Sequence, residues 1–143
     1  MNQSERRRYL IQELLNEQKE YCNYSIPEDP QGQKDLLRGL LNVRAPKILS
    51  REFLKIQDEY LKEETEKKGI TELADLTPVE QGIYLWQGDI TTLRCDAIVN
   101  AANSGMTGCY APNHKCIDNC IHTFAGAQLR YECAQMMKAQ GHE

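Results

Sequence analysis

The N-terminal half of the chain alternates apolar and charged positions with the period of an α-helix. From Ser4 to about Tyr21, apolar side chains recur every three or four residues, which predicts an amphipathic helix capped by Ser4. After the breaker segment 26–30, a second helix is predicted to end near Ala45-Pro46. Ser50 is the expected cap of a third, which ends at Gly69.

Beyond Thr77-Pro78 the pattern changes to short apolar runs between turn residues. Ile83–Gln87 alternates between Gly82 and Gly88, and Ala97–Val99 is a continuous apolar run of the kind found in buried strands. A final helix is predicted from Ile117 to about Ala139, with Met136 and Met137 filling the core. The overall prediction is an α/β protein in which three helices precede the strands and one helix follows them.

Composition and charge divide the chain at nearly the same place. Of 143 residues, 17 are basic and 21 acidic, a net charge of −4 that disfavours nucleic acid as a partner. Residues 1–82 contain 13 of the basic and 16 of the acidic side chains, whereas five of the six cysteines and all three histidines follow. No apolar run approaches membrane-spanning length, so no membrane is expected and we expect a cytoplasmic protein with reduced cysteines.

The helical first region has two interpretations. Charge-laced helices are usually solvated faces, which indicates a cap packed on the following domain, and the alternative is a surface for a partner. We place its boundary at residue 76, so that residues 1–76 form a helical extension and residues 77–143 a second unit.

Polar residues follow both predicted strands. Asp89 comes after Gly88 at a strand end, a common place for a nucleotide-binding carboxylate, although a Gly-Asp pair also makes an ordinary turn. After the second strand, Asn100 and Asn103 flank small residues and offer amides to a polar ligand. The N-terminus of the final helix, near Ile117 and Asp118, offers free N–H groups that suit a diphosphate.

The segment between Gly108 and Ile117 contains Cys109, His114 and Cys116, a set of soft and borderline ligands that suits tetrahedral zinc. Three such ligands are usual for a catalytic site, but Cys120 could complete a closed, structural shell. Free buried thiols, or a redox or nucleophilic cysteine, are the other interpretations. We interpret His122 as a packed helix residue and the other cysteines as small buried hydrophobes: Cys22, Cys95 and Cys133.

Three places resemble the opening of a macrodomain, the ADP-ribose-binding fold: Gly88-Asp89-Ile90-Thr91, the run 96–103, and the series Ile117-Asp118, Ile121-His122, Ala125-Gly126. Most macrodomains have a glycine-rich loop where this chain has its Cys/His segment. That substitution, together with the helical extension, resembles the zinc-dependent branch of bacterial protein-ADP-ribose hydrolases.

The resemblance implies a role for each matching residue. Asp89 and Ile90 would bind the adenine, Asn103 would orient the distal ribose as the catalytic residue, and Ile117 and Asp118 would face the diphosphate and ribose. Zinc would be bound by Cys109, His114 and Cys116, with Cys116 also beside the ligand.

The implied reaction is hydrolysis of the glycosidic bond between ADP-ribose and a protein side chain, with ADP-ribosylated protein, including a lipoyl carrier protein, as the substrate class. Two alternatives stay open: a non-catalytic ADP-ribose-binding module, and a structural zinc module with an interaction role. Because macrodomains of this branch continue with further strands, we expect residues 77–143 to be only the N-terminal part of the mixed sheet, and the chain alone to bind ADP-ribose poorly.

Overall fold

The computed structural model describes residues 1–143 and begins with three packed helices. These are α1 (Gln3–Asn16), α2 (Pro30–Val43) and α3 (Arg51–Lys68), with a short 3₁₀ helix at Lys19–Tyr21. The predicted ends of α2 and α3 are confirmed: Ser50 caps α3 by accepting from Phe53 N–H, and Gly69 ends it at φ +91°. The predicted cap of α1 is wrong, because Asn2 takes that position in a reciprocal capping box with Glu5.

The main hydrophobic core lies within this three-helix region. Eleven buried apolar side chains interdigitate between α1, α2 and α3: Leu10, Ile11, Leu14, Leu15, Leu37, Leu40, Leu41, Phe53, Ile56, Tyr60 and Leu61. They are the residues whose helical spacing predicted the three amphipathic faces. The extension therefore has a core of its own, and the residues after it pack against its outer surface.

Four short strands follow α3 and make two separate pairs. Strand β1 (Thr71–Glu72) pairs in parallel with β4 (Leu93–Arg94), and β2 (Pro78–Glu80) pairs antiparallel with β3 (Ile83–Tyr84). The α/β class is confirmed. Of the predicted strand 83–87 only its first two residues are paired, and the predicted strand 97–99 is absent. Val99 is 89% exposed, because a continuous apolar run becomes a buried strand only with neighbours on its edges and faces.

The predicted final helix is two helices, α4 (Ile117–Ala125) and α5 (Ala127–Gln140). Gly126 separates them at φ +90°, a conformation that residues with a side chain rarely adopt. The buried Gln57 of α3 accepts a hydrogen bond from the first N–H of α5, that of Ala127, at 2.9 Å. Arg130 is the one buried residue of α5, so most of this helix lies at the surface. Met136 is 61% exposed and Met137 is only half-buried, so their predicted core role is wrong.

None of the helices combines the length and the apolar character needed to cross a membrane.

Candidate metal centre and ligand site

Cys109, His114 and Cys116 converge in the segment that precedes α4. We call residues 109–116 the metal loop. The ligand atoms of the three residues all lie within 4.8 Å of one another, and Cys109 Sγ lies 3.5 Å from His114 Nδ1. Ligands about 2.0 to 2.3 Å from a common tetrahedral zinc ion stand roughly 3.5 to 3.8 Å apart. The donor set therefore suits a zinc ion, and the distance between Cys109 and His114 matches the tetrahedral spacing.

The metal loop owes its shape to a turn at Pro112-Asn113. His114 N–H donates to Ala111 C=O at 3.3 Å, and Asn113 has φ +56°. Proline at the second position and a positive φ at the third are typical of a type II turn, and Asn tolerates this conformation better than most residues. The turn folds the loop back, which brings His114 beside Cys109.

Cys116 links the metal loop to α4. It is the N-cap residue, and its Sγ accepts a hydrogen bond from Asn119 N–H at 3.4 Å. The positive end of the helix dipole favours a negative thiolate at this position. Cys120, in contrast, is outside the three-ligand group, and its Sγ lies 3.5 Å from Arg38 Nη2.

Asn119 fixes the loop from the first turn of α4. This fully buried amide donates to Ala111 C=O at 3.0 Å and to Cys109 C=O at 3.5 Å. Its Oδ1 accepts from Arg38 at 2.9 Å. One side chain thus joins the metal loop, α4 and α2.

Arg130 of α5 supports the other side of the loop. Its guanidinium is buried without a carboxylate partner and donates to five backbone carbonyls: Leu41, Asn42, Arg44, Thr107 and Cys109. It also stacks on the Tyr110 ring, 4.1 Å from the ring centroid. Burial lowers the pKa of Arg130, and the nearby Tyr110 and Asp118 partly offset this shift by raising the pKa. Arg130 therefore ties the C-terminal end of α2 to the start of the metal loop.

Asn103 lies on the approach to the metal loop. It is exposed, and its Nδ2 donates to Gly108 C=O at 3.4 Å, one residue before Cys109. Ile117 is 41% exposed at the start of α4, whereas the Asp118 carboxylate is buried and accepts from Asn100 Nδ2 at 2.8 Å. Because its carboxylate is buried, Asp118 can contact a ligand only through its backbone.

Asp89 and Ile90 lie apart from this group. The Asp89 carboxylate accepts from Thr91 N–H and Oγ1 and pairs with Lys68 at 3.1 Å. Partial burial alone would raise the pKa of Asp89, but the Thr91 hydrogen bonds and the Lys68 ammonium outweigh it and lower the pKa. Ile90 lines an open apolar cavity with Ile121 and Phe124 of α4.

The chain is similar in sequence to known proteins. The Macro domain family profile matches residues 99–143, which include the metal loop and both C-terminal helices. The chain is 60% identical, over its whole length, to the "Protein-ADP-ribose hydrolase" of Treponema medium. The chain belongs to the macrodomain family.

Other relatives of this macrodomain chain have related names. A "Protein-ADP-ribose hydrolase" of Staphylococcus aureus is 45% identical over 93% of the chain, and a "Probable bifunctional ADP-ribose hydrolase/ADP-ribosyltransferase" of Fusarium oxysporum f. sp. cubense is 44% identical over 76%. The chain covers 56% of the Treponema protein, 50% of the Staphylococcus protein and 20% of the Fusarium protein. It thus spans about half the length of the two hydrolases.

The cysteines outside the ligand group differ from what the sequence of this macrodomain chain predicted. His122 is buried on α4, as expected, but Cys22 and Cys95 are exposed and Cys133 is only half-buried, so their interpretation as buried hydrophobes is wrong. Cys22 directly follows the 3₁₀ helix at Lys19–Tyr21 and Cys95 directly follows β4, so both lie in connecting segments at the surface. Sequence reasoning also missed Asn119 and Arg130, because a polar residue that bonds to backbone carbonyls has no periodic or spacing signal.

Proposed function

We propose that this chain is the metal-binding part of a zinc-dependent hydrolase that removes ADP-ribose from protein side chains by cleaving the glycosidic bond at the distal ribose. The supporting observation is the three-ligand group of the metal loop, which opens directly into the N-terminus of α4 and lies next to Asn103. The names of the Treponema and Staphylococcus relatives agree with this reaction class.

The metal would be held by Cys109, His114 and Cys116. Zinc bound there would supply a Lewis acid that polarises the bond under attack or lowers the pKa of a bound water to about 7. Three protein ligands leave a fourth tetrahedral position for substrate or water, which is the usual arrangement of a catalytic zinc.

Residues beside the metal loop would bind and orient the ADP-ribose. The first N–H groups of α4, at Ile117 and Asp118, have no intrahelical acceptor and would receive diphosphate oxygens. The exposed amide of Asn103 would orient the distal ribose toward the metal loop. Asp89 and Ile90 would bind the adenine, which requires Lys68 to leave the Asp89 carboxylate.

The substrate would be an ADP-ribosylated protein, with a lipoyl carrier protein as one member of the class. The site is suited to the cytoplasm, because reduced thiols are needed to bind the metal and six free cysteines persist in a reducing compartment. A closed, structural zinc site would need a fourth protein ligand, and Cys120, the nearest cysteine in sequence, contacts Arg38 instead.

The activity is tested in a chimera in which this chain replaces the matching segment of the Treponema medium hydrolase. We expect the chimera to release ADP-ribose from an ADP-ribosylated protein. Cys116→Ala should reduce both bound zinc and the rate of release, by at least about 100-fold for the rate, because only two ligands remain. Zinc content by elemental analysis and released ADP-ribose by chromatography are the two measurements.

Cys120→Ala is the matched control. It should keep full zinc content and full activity, since Cys120 lies outside the ligand group. Loss of zinc in Cys120→Ala would favour the structural zinc module. Binding of ADP-ribose by the chimera without any release from protein would favour the non-catalytic module.

A further inference from the structure

The outer face of α2 contacts the metal loop at two points one helical turn apart. Arg38 Nη2 donates to His114 C=O at 2.8 Å, and Asn42 Oδ1 accepts from Asn113 N–H at 3.0 Å. Residues four apart on a helix lie on the same face, so both side chains reach the same turn of the loop. Together they hold the backbone groups that bracket the Asn113-His114 dipeptide.

The α2 backbone between these two residues allows the loop to approach. A Cβ atom at Gly39 would stand 3.4 Å from Asn113 Nδ2 and 3.8 Å from Pro112 Cβ. Any side chain longer than that of Ala would have to displace the turn or bend away from it. The small size of the residue at position 39 therefore lets the Pro112-Asn113 turn lie directly on α2.

Both contacting side chains are themselves held in place. Asn42 is 1% exposed and donates with its Nδ2 to Thr123 Oγ1 of α4 at 3.1 Å. The same Nη2 of Arg38 donates to Asn119 Oδ1 at 2.9 Å. The contacts are thus part of a hydrogen-bonded layer between α2 and α4, and the metal loop lies against its edge.

We propose that Arg38 and Asn42 are positioning residues of the metal centre, which they serve by fixing the backbone of His114 so that its Nδ1 faces Cys109 before the metal binds. The inference rests on the metal site of the proposed function. It gives the helical extension a part in metal binding in addition to its own core. Outer residues that orient a ligand typically contribute a factor of 10 to 100 in metal affinity.

The test measures zinc affinity of the metal-free 143-residue chain by competition with a chromogenic chelator. Arg38→Met and Asn42→Ala should each bind zinc at least tenfold more weakly than the wild type. Far-UV circular dichroism verifies that each variant is folded. Asn42→Ala keeps the test decisive should Arg38→Met not fold.

Two matched controls separate positioning from general loss of packing. Arg6→Met removes an arginine that joins α1 to Glu59 and Glu63 of α3, far from the loop. Lys34→Met removes a cation of α2 itself, which pairs with Glu64 of α3 at 2.6 Å rather than with the loop. Both should bind zinc within twofold of the wild type, although both lose an interaction between helices.

A second measurement uses cobalt in place of zinc. The wild type should give the intense visible absorption of tetrahedral cobalt with thiolate ligands, and Arg38→Met should give a weaker spectrum because His114 is no longer held beside the thiolates. Wild-type affinity in folded Arg38→Met and Asn42→Ala would overturn the positioning role while leaving the metal site intact. A wild-type chain that binds no zinc would instead overturn the metal site itself.

Discussion

His122 is a buried imidazole that lies against the glycine preceding the metal loop. Its Nε2 lies 3.6 Å from Asp118 Oδ1, and its Nδ1 is buried without a hydrogen-bond partner. A Cβ at Gly108 would stand 2.7 Å from the ring, so the imidazole occupies the space that a side chain at position 108 would need. Burial lowers the pKa of His122. The Asp118 carboxylate raises this pKa by a smaller amount, and the Arg130 cation lowers it further.

This pKa makes the stability of the metal-free chain dependent on pH. The native state binds the His122 proton less readily than the unfolded chain, whose histidine pKa is about 6.5. The contribution of neutral His122 to the free energy of unfolding is therefore fully present above pH 6.5, and it is lost as the pH decreases toward the lowered native pKa. His122→Phe keeps a ring against Gly108 but does not titrate, so it should lose less stability between pH 7 and pH 5.

Urea denaturation of both proteins at the two pH values, with a chelator present, gives the comparison. A wild type and His122→Phe with equal losses between pH 7 and pH 5 would show that other groups control the pH dependence.

At the scale of elements, the sequence predicted the helices better than the strands. Helical periodicity is a local property, and α2 and α3 begin and end close to their predicted positions. The break at Gly126 is less visible, because apolar residues continue at helical spacing on both sides of it. Strands depend on partners elsewhere in the chain, so the apolar run 97–99 could not reveal whether it is paired. For the site, the cysteine and histidine spacing predicted which three side chains converge in the metal loop, but not which residues hold its backbone.

The turn at Gly126 gives a second prediction. A Cβ there would stand 2.5 Å from Gln57 Nε2 and from Gln128 Oε1, in addition to the strain of a positive φ. Gly126→Ala should lower the free energy of unfolding by about 2 to 3 kcal/mol, since it both strains the backbone and displaces Gln57. Gly82 also has a positive φ, with nothing within 4 Å of a Cβ.

Gly82→Ala is therefore the control and should lower the free energy by only about 1 kcal/mol. Urea denaturation measures both variants. Equal losses would indicate that backbone strain alone, without the contact to Gln57, determines the effect.

At the scale of the whole molecule, stability is concentrated in the first half. The apolar core spans Leu10 to Leu61, whereas residues 77–108 contain three strands of two or three residues and many exposed apolar side chains. Leu85 is 84% exposed, for example. The two halves meet through polar contacts of α2 and α3 with α4, α5 and the metal loop, and through Phe124 and Ala127, which pack against the edge of the apolar core. The metal loop therefore lies between a well-packed region and a sparsely packed one.

Hydrogen exchange should reflect this division. Amides of α1, α2 and α3 should be the most protected, and those of residues 77–108 should exchange fastest, because few buried contacts hold them. Zinc should slow exchange at residues 109–120 and leave residues 77–90 unchanged. Mass spectrometry of peptides with and without zinc measures this, and protection of residues 77–108 equal to that of α3 would contradict it.

The cap that Gln57 places on α5 also has a consequence for the order of folding. The first amide of α5 is satisfied by a side chain 70 positions earlier in the chain, so this capping bond cannot form until α3 is in place. Because the N-terminal part of a chain leaves the ribosome first, the three-helix region can fold during synthesis and then serve as a template for the C-terminal helices. The outer surface of the three-helix region would thus help the C-terminal helices to fold as well as hold them in place afterwards.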